Sequence, residues 1–281
     1  MSTLLKHSSY GKSHVRLTKV TRHADHHELK ELCVAIQLEG DFDASYTHGD
    51  NRQVITTDTM KNTVYALARN HPLTDVEGFG LTLARHFMEN FAHVSASTIR
   101  LVEQAWQRIV VNGEEHPHAF VGGGRERRTS TVKLTRQSRR IQSGIEGLCI
   151  LKTTDSAFKG FLRDPYTTLP EAGDRIFATR LAACWLYGEE LVDWNHCHQL
   201  IRRTLLETFA SHKSLSVQQT LHAMGAAALA ACSPIQRMRL AMPNKHHLLV
   251  DLQSFGLDNP NVVFAPTKEP YGLITAMLQR N

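Results

Sequence analysis

Two stretches of this chain carry the same succession of hydrophobic periodicities, and that repetition limits the folds open to it. Alternation with period two appears at Val15 and Leu17, then over Leu32, Val34, Ile36 and Leu38, as in half-buried strands. Helical spacing follows from about Asp58, through Met60, Val64 and Leu67. A second helix is expected from Thr74, with Glu77 three residues on in capping-box spacing, and Val76, Phe79, Leu83, Phe87 and Phe91 striping one face. Strand periodicity returns with Ile99, Leu101, Ala105, Ile109 and Val111, then Val132 and Leu134.

The second half runs in the same order. Leu148 and Ile150, then Ile176, Ala178, Ala182, Cys184 and Leu186, predict strands. One helix carries Leu200, Ile201, Leu205 and Phe209. Another begins at Ser216, with Gln219 in capping-box spacing, and continues through Leu221, Met224 and Ala228. Strands close the chain at Met238 to Met242, Leu248 to Leu252 and Leu273 to Gln279. The expectation is an α+β protein built from two antiparallel β-β-α-α-β-β units, residues 1–140 and 141–281.

Composition narrows the class. Hydrophobic residues make up 42% and charged residues 21% of 281, ordinary globular usage with enough apolar surface for a core. No apolar run approaches the roughly 18 residues of a membrane span, and the first residues lack the apolar centre of a secretory signal. The chain ends Leu278-Gln279-Arg280-Asn281 without a peroxisomal Ser-Lys-Leu signal, and five cysteines without CxxC pairing fit a reducing compartment. A soluble cytoplasmic protein with no membrane partner is expected. A net charge of +5 suits a small anion at least as well as a nucleic acid.

Several motifs invite chemistry and also have plain readings. VGGGRERR (Val121 to Arg128) lacks the GK[ST] ending of a phosphate loop and reads as a flexible hairpin loop. Arg125, Arg127, Arg128, Arg136, Arg139 and Arg140 lack interleaved aromatics, so a solvated basic strand or a subunit contact is expected rather than a nucleic-acid track. Histidines cluster at His23, His26 and His27, at His116 and His118, at His196 and His198, and at His246 and His247, none in HExxH spacing; a surface cluster is the plain reading of the first. Thr56, Thr57 and Asp58 sit at a helix start, where they cap it or leave its N–H groups to meet an anion. Phe158 and Arg175 flank a polar segment and either pack a core or clamp a planar anion. Lys12 is an edge-strand lysine on its own evidence.

Taken in order, the motifs resemble the urate oxidase (uricase) family, from about Tyr10 to Arg280. The matching segments are YGKSHVRL, TDTMKNTVYALA, HPHAF, GLCILKTTDSAFKGFLRDPYTTL with DRI after it, SVQQTLHAMG, LAMPNKHHLLVDL and NPNVVFAPTKEPYGLI. The resemblance implies the tunnelling fold (T-fold), in which subunits pair head to tail into a β-barrel and two barrels stack into a homotetramer with active sites shared between subunits. It implies oxidation of urate by O2 and water to 5-hydroxyisourate and hydrogen peroxide, with no metal or organic cofactor and no nucleic acid. The family's lysine–threonine–histidine relay falls on Lys12, Thr57 and His246. Its substrate ligands fall on Thr57, Asp58, Phe158, Arg175, Val217, Gln218 and Asn244, with Asp58 and Val217 acting through backbone N–H groups. Asn244 and Thr57 are implied to hold O2, and afterwards water, above the ring. Two further readings are a zinc-dependent tunnelling-fold enzyme of pterin chemistry, for which no Cys/His ligand set assembles, and a basic nucleic-acid-binding module.

Overall fold

The computed structural model describes residues 3–188 and 192–281 and divides into two compact units, Met1–Gly144 and Ile145–Asn281. In the first, β1 (Tyr10–Arg22) and β2 (His27–Gly40) form a hairpin, followed by a single turn of helix, α1 (Asp43–Thr47). Then come α2 (Thr57–Asn70), α3 (Val76–Asn90) and a second hairpin, β3 (Val94–Val111) and β4 (Glu114–Thr135). The strands pair antiparallel in the order β1-β2-β3-β4, with β1 an open edge. β5 (Arg139–Lys152) crosses the boundary in sequence. The second unit has β6 (Phe177–Tyr187), α4 (Trp194–Ser211), α5 (Val217–Ala231) and β7 (Ile235–Lys245). A short ladder of β8 (His247–Leu249) and β9 (Phe264–Pro266) precedes β10 (Gly272–Gln279), the edge strand on β7. This is the antiparallel α+β architecture of the tunnelling fold, and no helix among the described residues is long and apolar enough to cross a membrane.

Each unit packs two helices on one face of its sheet. Val15, Leu17, Leu32, Val34, Ile36, Leu38, Ile99 and Leu101 are buried with Met60 and Val64 of α2 and Phe79, Leu83 and Phe87 of α3. Close approach of α3 depends on Gly80, where a Cβ would lie 2.8 Å from Leu101 Cδ1 and 2.9 Å from Val132 Cγ2. Gly225 of α5 has the same role, since its Cβ would meet Leu278 at 2.9 Å and Leu240 at 3.0 Å. Cations close the C-termini of two helices, where carbonyls lack intrahelical donors. Lys19 Nζ donates to Ala68 at 3.0 Å in the last turn of α2, and Arg280 donates to Leu229 and Cys232 at the end of α5, while Arg136 ties the turn from α3 to β3 by donating to Ala92 at 3.1 Å and Val94 at 3.0 Å.

The structure departs from the sequence expectation in several places. The glycine-rich VGGGRERR segment is part of β4, not a loop: Gly122 pairs with Trp106, and Arg127 and Arg128 with Gln104 and Glu103. The register shifts between Gln104 and Trp106, and this bulge takes up the glycines. Gly124 has φ +82°, and a Cβ on Gly123 would meet that of Ala105 at 2.9 Å. The arginines there are not uniformly solvated, because the Arg128 side chain is only 12% exposed and is paired with Glu77. Glu77 therefore belongs to no capping box, and the N-cap of α3 is Asp75, which accepts from Gly78 N at 2.6 Å. Ile109 and Val111 keep the strand alternation of β3 but are exposed in its distal half. In β6 the buried series is Phe177, Leu181, Ala183, Trp185 and Tyr187, one residue out of step with Ala182, Cys184 and Leu186. The strand expected over Leu248–Leu252 shortens to β8, and Gln253–Phe255 turns into a 3-10 helix.

Candidate active site

In the first unit the backbone brings Lys12, Thr57 and Asp58 together. Strict alternation would put Lys12 on the face opposite Val15. Instead Lys12 pairs with Ile36 and Val15 with Val34, so β1 spends three steps where β2 spends two. This one-residue bulge, with His14 at φ +58°, turns Lys12 onto the face of buried Ile36, the helix-bearing face. Gly11 permits the approach: a Cβ there would lie 1.8 Å from the Ile36 carbonyl oxygen. Lys12 is half-buried, and its charge is one of those that hold the Asp58 carboxyl below the usual carboxylate range. The larger cause is Lys61, whose Nζ donates to Asp58 at 2.5 Å, while Asn62 donates to the other oxygen at 2.8 Å.

Helix α2 begins under local control. Thr56 is its N-cap, and its hydroxyl accepts from Thr59 N at 3.0 Å. Capping by Thr56 leaves the Thr57 hydroxyl uncommitted, with no hydrogen bond among the described residues, and leaves the N–H groups of Thr57 and Asp58 without helical acceptors. Tyr10, a residue that periodicity did not single out, fixes this start against β1. Its hydroxyl donates to Ile55 O at 3.1 Å and accepts from Ile55 N at 2.8 Å, and its ring packs edge-on to Phe42 with centroids 4.7 Å apart. Tyr10→Phe should cost about 1–3 kcal/mol by leaving half-buried backbone groups unpaired. Chemical denaturation measures this; an unchanged midpoint would show that the hydroxyl does not hold the helix start.

The second unit repeats the arrangement at α5. Ser216 caps the helix by accepting from Gln219 N at 3.1 Å, and Gln219 Oε1 accepts from Leu215 N at 2.9 Å. Val217 and Gln218 thus occupy the positions that Thr57 and Asp58 hold on α2, the first two of the helix, with N–H groups free of helical acceptors. Val217 is buried, whereas Gln218 is exposed and its amide makes no hydrogen bond among the described residues.

A polar segment is laced to that helix start. Ala157 N donates to Ser214 O at 2.8 Å and Ser214 N to Asp155 O at 2.9 Å, while Phe158 and Ala172 exchange bonds of 2.8 and 3.0 Å. Asp174 accepts from Thr154 Oγ1 at 2.6 Å and Ser156 N at 3.1 Å, and those donors hold its carboxyl below the ordinary range. This framework presents Arg175 over the Phe158 ring at 5.2 Å, with Phe161 stacked on Phe158 at 5.0 Å. Arg175 is half-buried, burial pushes its pKa down, and its guanidinium makes no ion pair or hydrogen bond among the described residues. Five uncommitted N–H donors in a partly desolvated fork suit a planar acceptor.

Asn244 lies on β7 between Thr179 of β6 and Gly272 of β10, on the face of buried Leu240 and Met242. His246 follows that strand, and its carbonyl accepts from Thr267 N at 2.9 Å. Both are half-buried, with side chains that form no hydrogen bond among the described residues. Lys12, Thr57 and Asp58 belong to one unit, and Phe158, Arg175, Val217, Gln218, Asn244 and His246 to the other. A cavity of about 470 Å³ lined by Leu186, Gln236, Arg237, Gln279, Arg280 and Asn281 includes none of them.

Known proteins share this sequence and fold. The family model described as Uricase matches residues 8–133 and 141–275. A uricase of Arthrobacter globiformis is 46% identical over 277 residues, covering 99% of this chain and 90% of that protein. The Aspergillus flavus uricase is 36% identical over 295 residues, covering 99% and 97%. The crystal structure of uricase from Arthrobacter globiformis superposes with a TM-score of 0.95 at 45% identity, covering 100% of this chain and 96% of that one. With a family match on both units and agreement of sequence and fold over nearly its whole length, the chain belongs to the Uricase family.

Proposed function

We propose that this chain is a urate oxidase that converts urate, O2 and water to 5-hydroxyisourate and hydrogen peroxide. Family membership and the 46%-identical uricase support that activity. The observation that carries the site is Arg175: a half-buried guanidinium with uncommitted donors, set over an aromatic ring and tied through the 155–175 segment to a helix start.

Each residue has a task its position allows. Phe158 offers a face to the flat purine, worth about 0.5–1.5 kcal/mol beyond area burial. Arg175 grips a urate carbonyl and the adjacent ring nitrogen, and Gln218 matches donor and acceptor on the other edge. The N–H groups of Thr57, Asp58 and Val217 meet the anion at the two helix starts. Lys12, once it has released its own proton to solvent, takes the proton of Thr57 as Thr57 takes one from urate, making the ring electron-rich enough to reduce O2. His246 orders the attacking water, and Asn244 with Thr57 holds O2 and then that water. Because these residues divide between the two units, the reading includes a homotetramer in which head-to-tail neighbours complete each other's sites. It places the enzyme in the cytoplasm, where its five free cysteines stay reduced.

Chelator-treated protein mixed with urate should lose urate absorbance and form peroxide in equal amounts. Folded protein that leaves urate intact, or needs added metal, overturns the reading. Arg175→Ala should weaken binding of urate or a flat competitive analogue by about 2–3 kcal/mol, roughly 30- to 150-fold. Arg175→Lys should recover little, since a point charge cannot reproduce the fork. Near wild-type affinity in both variants would remove Arg175 from the site.

A further inference from the structure

The turn joining β1 to β2 holds the one convergence of metal-capable side chains among the described residues. His23, His26 and Glu28 each offer a ligand atom, and these atoms all lie within 4.8 Å of one another. His23 Nε2 is 3.5 Å from Glu28 Oε1, close to the roughly 3.3 Å edge of a tetrahedron with 2.0–2.1 Å metal–ligand bonds. The turn is held from both sides. Arg22 and His27 are the last ladder pair, and His23 N donates to His26 O at 2.8 Å. The rings of His23 and His26 lie 4.6 Å apart and nearly parallel, at 23°.

One histidine already carries the support that metal-bound imidazoles have. Asp25 Oδ1 sits 2.8 Å from His26 Nδ1, which directs that nitrogen's proton to the carboxylate and leaves Nε2 as the coordinating atom. Exposure of the three side chains, 42% for His23, 39% for His26 and 56% for Glu28, gives an ion a path in and leaves a fourth position for water. Two imidazoles and one carboxylate suit a borderline ion such as Zn2+ and not a hard one such as Mg2+. We propose that the β1–β2 turn is a binding site for one borderline divalent transition-metal ion, held by His23, His26 and Glu28 with Asp25 orienting His26. None of these residues belongs to the urate site proposed above.

The test is calorimetric titration of the chelator-stripped full-length protein with Zn2+, and with Mg2+ as the hard-ion control. One Zn2+ per chain should bind with micromolar affinity, and Mg2+ should give no saturable heat. His23→Ala and His26→Ala should each weaken Zn2+ at least tenfold, and Asp25→Asn about tenfold, with urate turnover unchanged in all three. The turn is exposed, so these variants should keep the far-ultraviolet circular dichroism of the parent. Zn2+ binding that persists in the His23→Ala/His26→Ala double variant would assign the ion to other histidines and overturn the proposal, as would wild-type protein that binds no Zn2+.

Discussion

Arg128→Met is expected to destabilise the protein by about 3–5 kcal/mol, as for one partner removed from a buried ion pair. Arg128 Nη2 donates to Glu77 Oε2 at 2.7 Å, and the two side chains are 12% and 0% exposed. Ser143 donates to the other carboxylate oxygen. Burial raises the Glu77 pKa even with Arg128 and Ser143 opposing it, so removing the arginine strands a charge that the interior cannot solvate. Denaturant unfolding at fixed protein concentration measures the loss. Its pH dependence carries the sign: a carboxyl whose folded pKa is raised favours folding most below its unfolded value of about 4.3 and loses that advantage as pH rises toward the folded one. Arg128→Met should therefore lose less stability at pH 5 than at pH 8. Replacing both partners, Glu77→Leu with Arg128→Met, should restore most of the loss. An Arg128→Met protein as stable as the parent at pH 8 would mean that Glu77 is solvated.

That ion pair also shows where sequence and structure part. Glu77 reads locally as the closing residue of a capping box opened by Thr74, and Arg128 as part of a basic loop. Neither reading contains the 51-residue separation across which they meet. Glycine is a local loop signal, yet the VGGGRERR segment is held by a non-local ladder to β3, with a bulge to absorb the misfit. β6 hid its buried face because both faces are apolar, so alternation carried no parity. Helix starts were more legible, since caps are local: Thr56 and Ser216 do what their residue types dictate.

The candidate site divides along the same line. Uncommitted N–H groups at the starts of α2 and α5 follow from capping, but the face of Lys12 follows from the β1–β2 register, which alternation alone assigns wrongly. Tyr10 lies 45 residues from the backbone group it grips, so no local pattern marks it. The roles proposed for Lys12, Arg175 and Asn244 rest on ordered motifs resembling a family. The structure adds why such residues are available: each has polar atoms that form no hydrogen bond among the described residues.

Asn244→Leu is expected to separate oxygen chemistry from urate binding. Its amide forms no hydrogen bond among the described residues, and its neighbours on the buried face are Leu240 and Met242. Leucine of similar volume therefore breaks no bond that holds β7 between β6 and β10. The proposed urate contacts from Arg175, Gln218 and Phe158 stay in place, so binding should change by less than about 1 kcal/mol. What disappears is the donor and acceptor proposed to hold O2 and then water over the ring. Loss of one such group raises a barrier by about 2.7–4 kcal/mol, 10²- to 10³-fold in turnover. Equilibrium titration of urate under nitrogen gives the first quantity, and oxygen-electrode rates at saturating urate give the second. If affinity falls while turnover at saturation holds, Asn244 is a urate ligand and O2 is held by other groups.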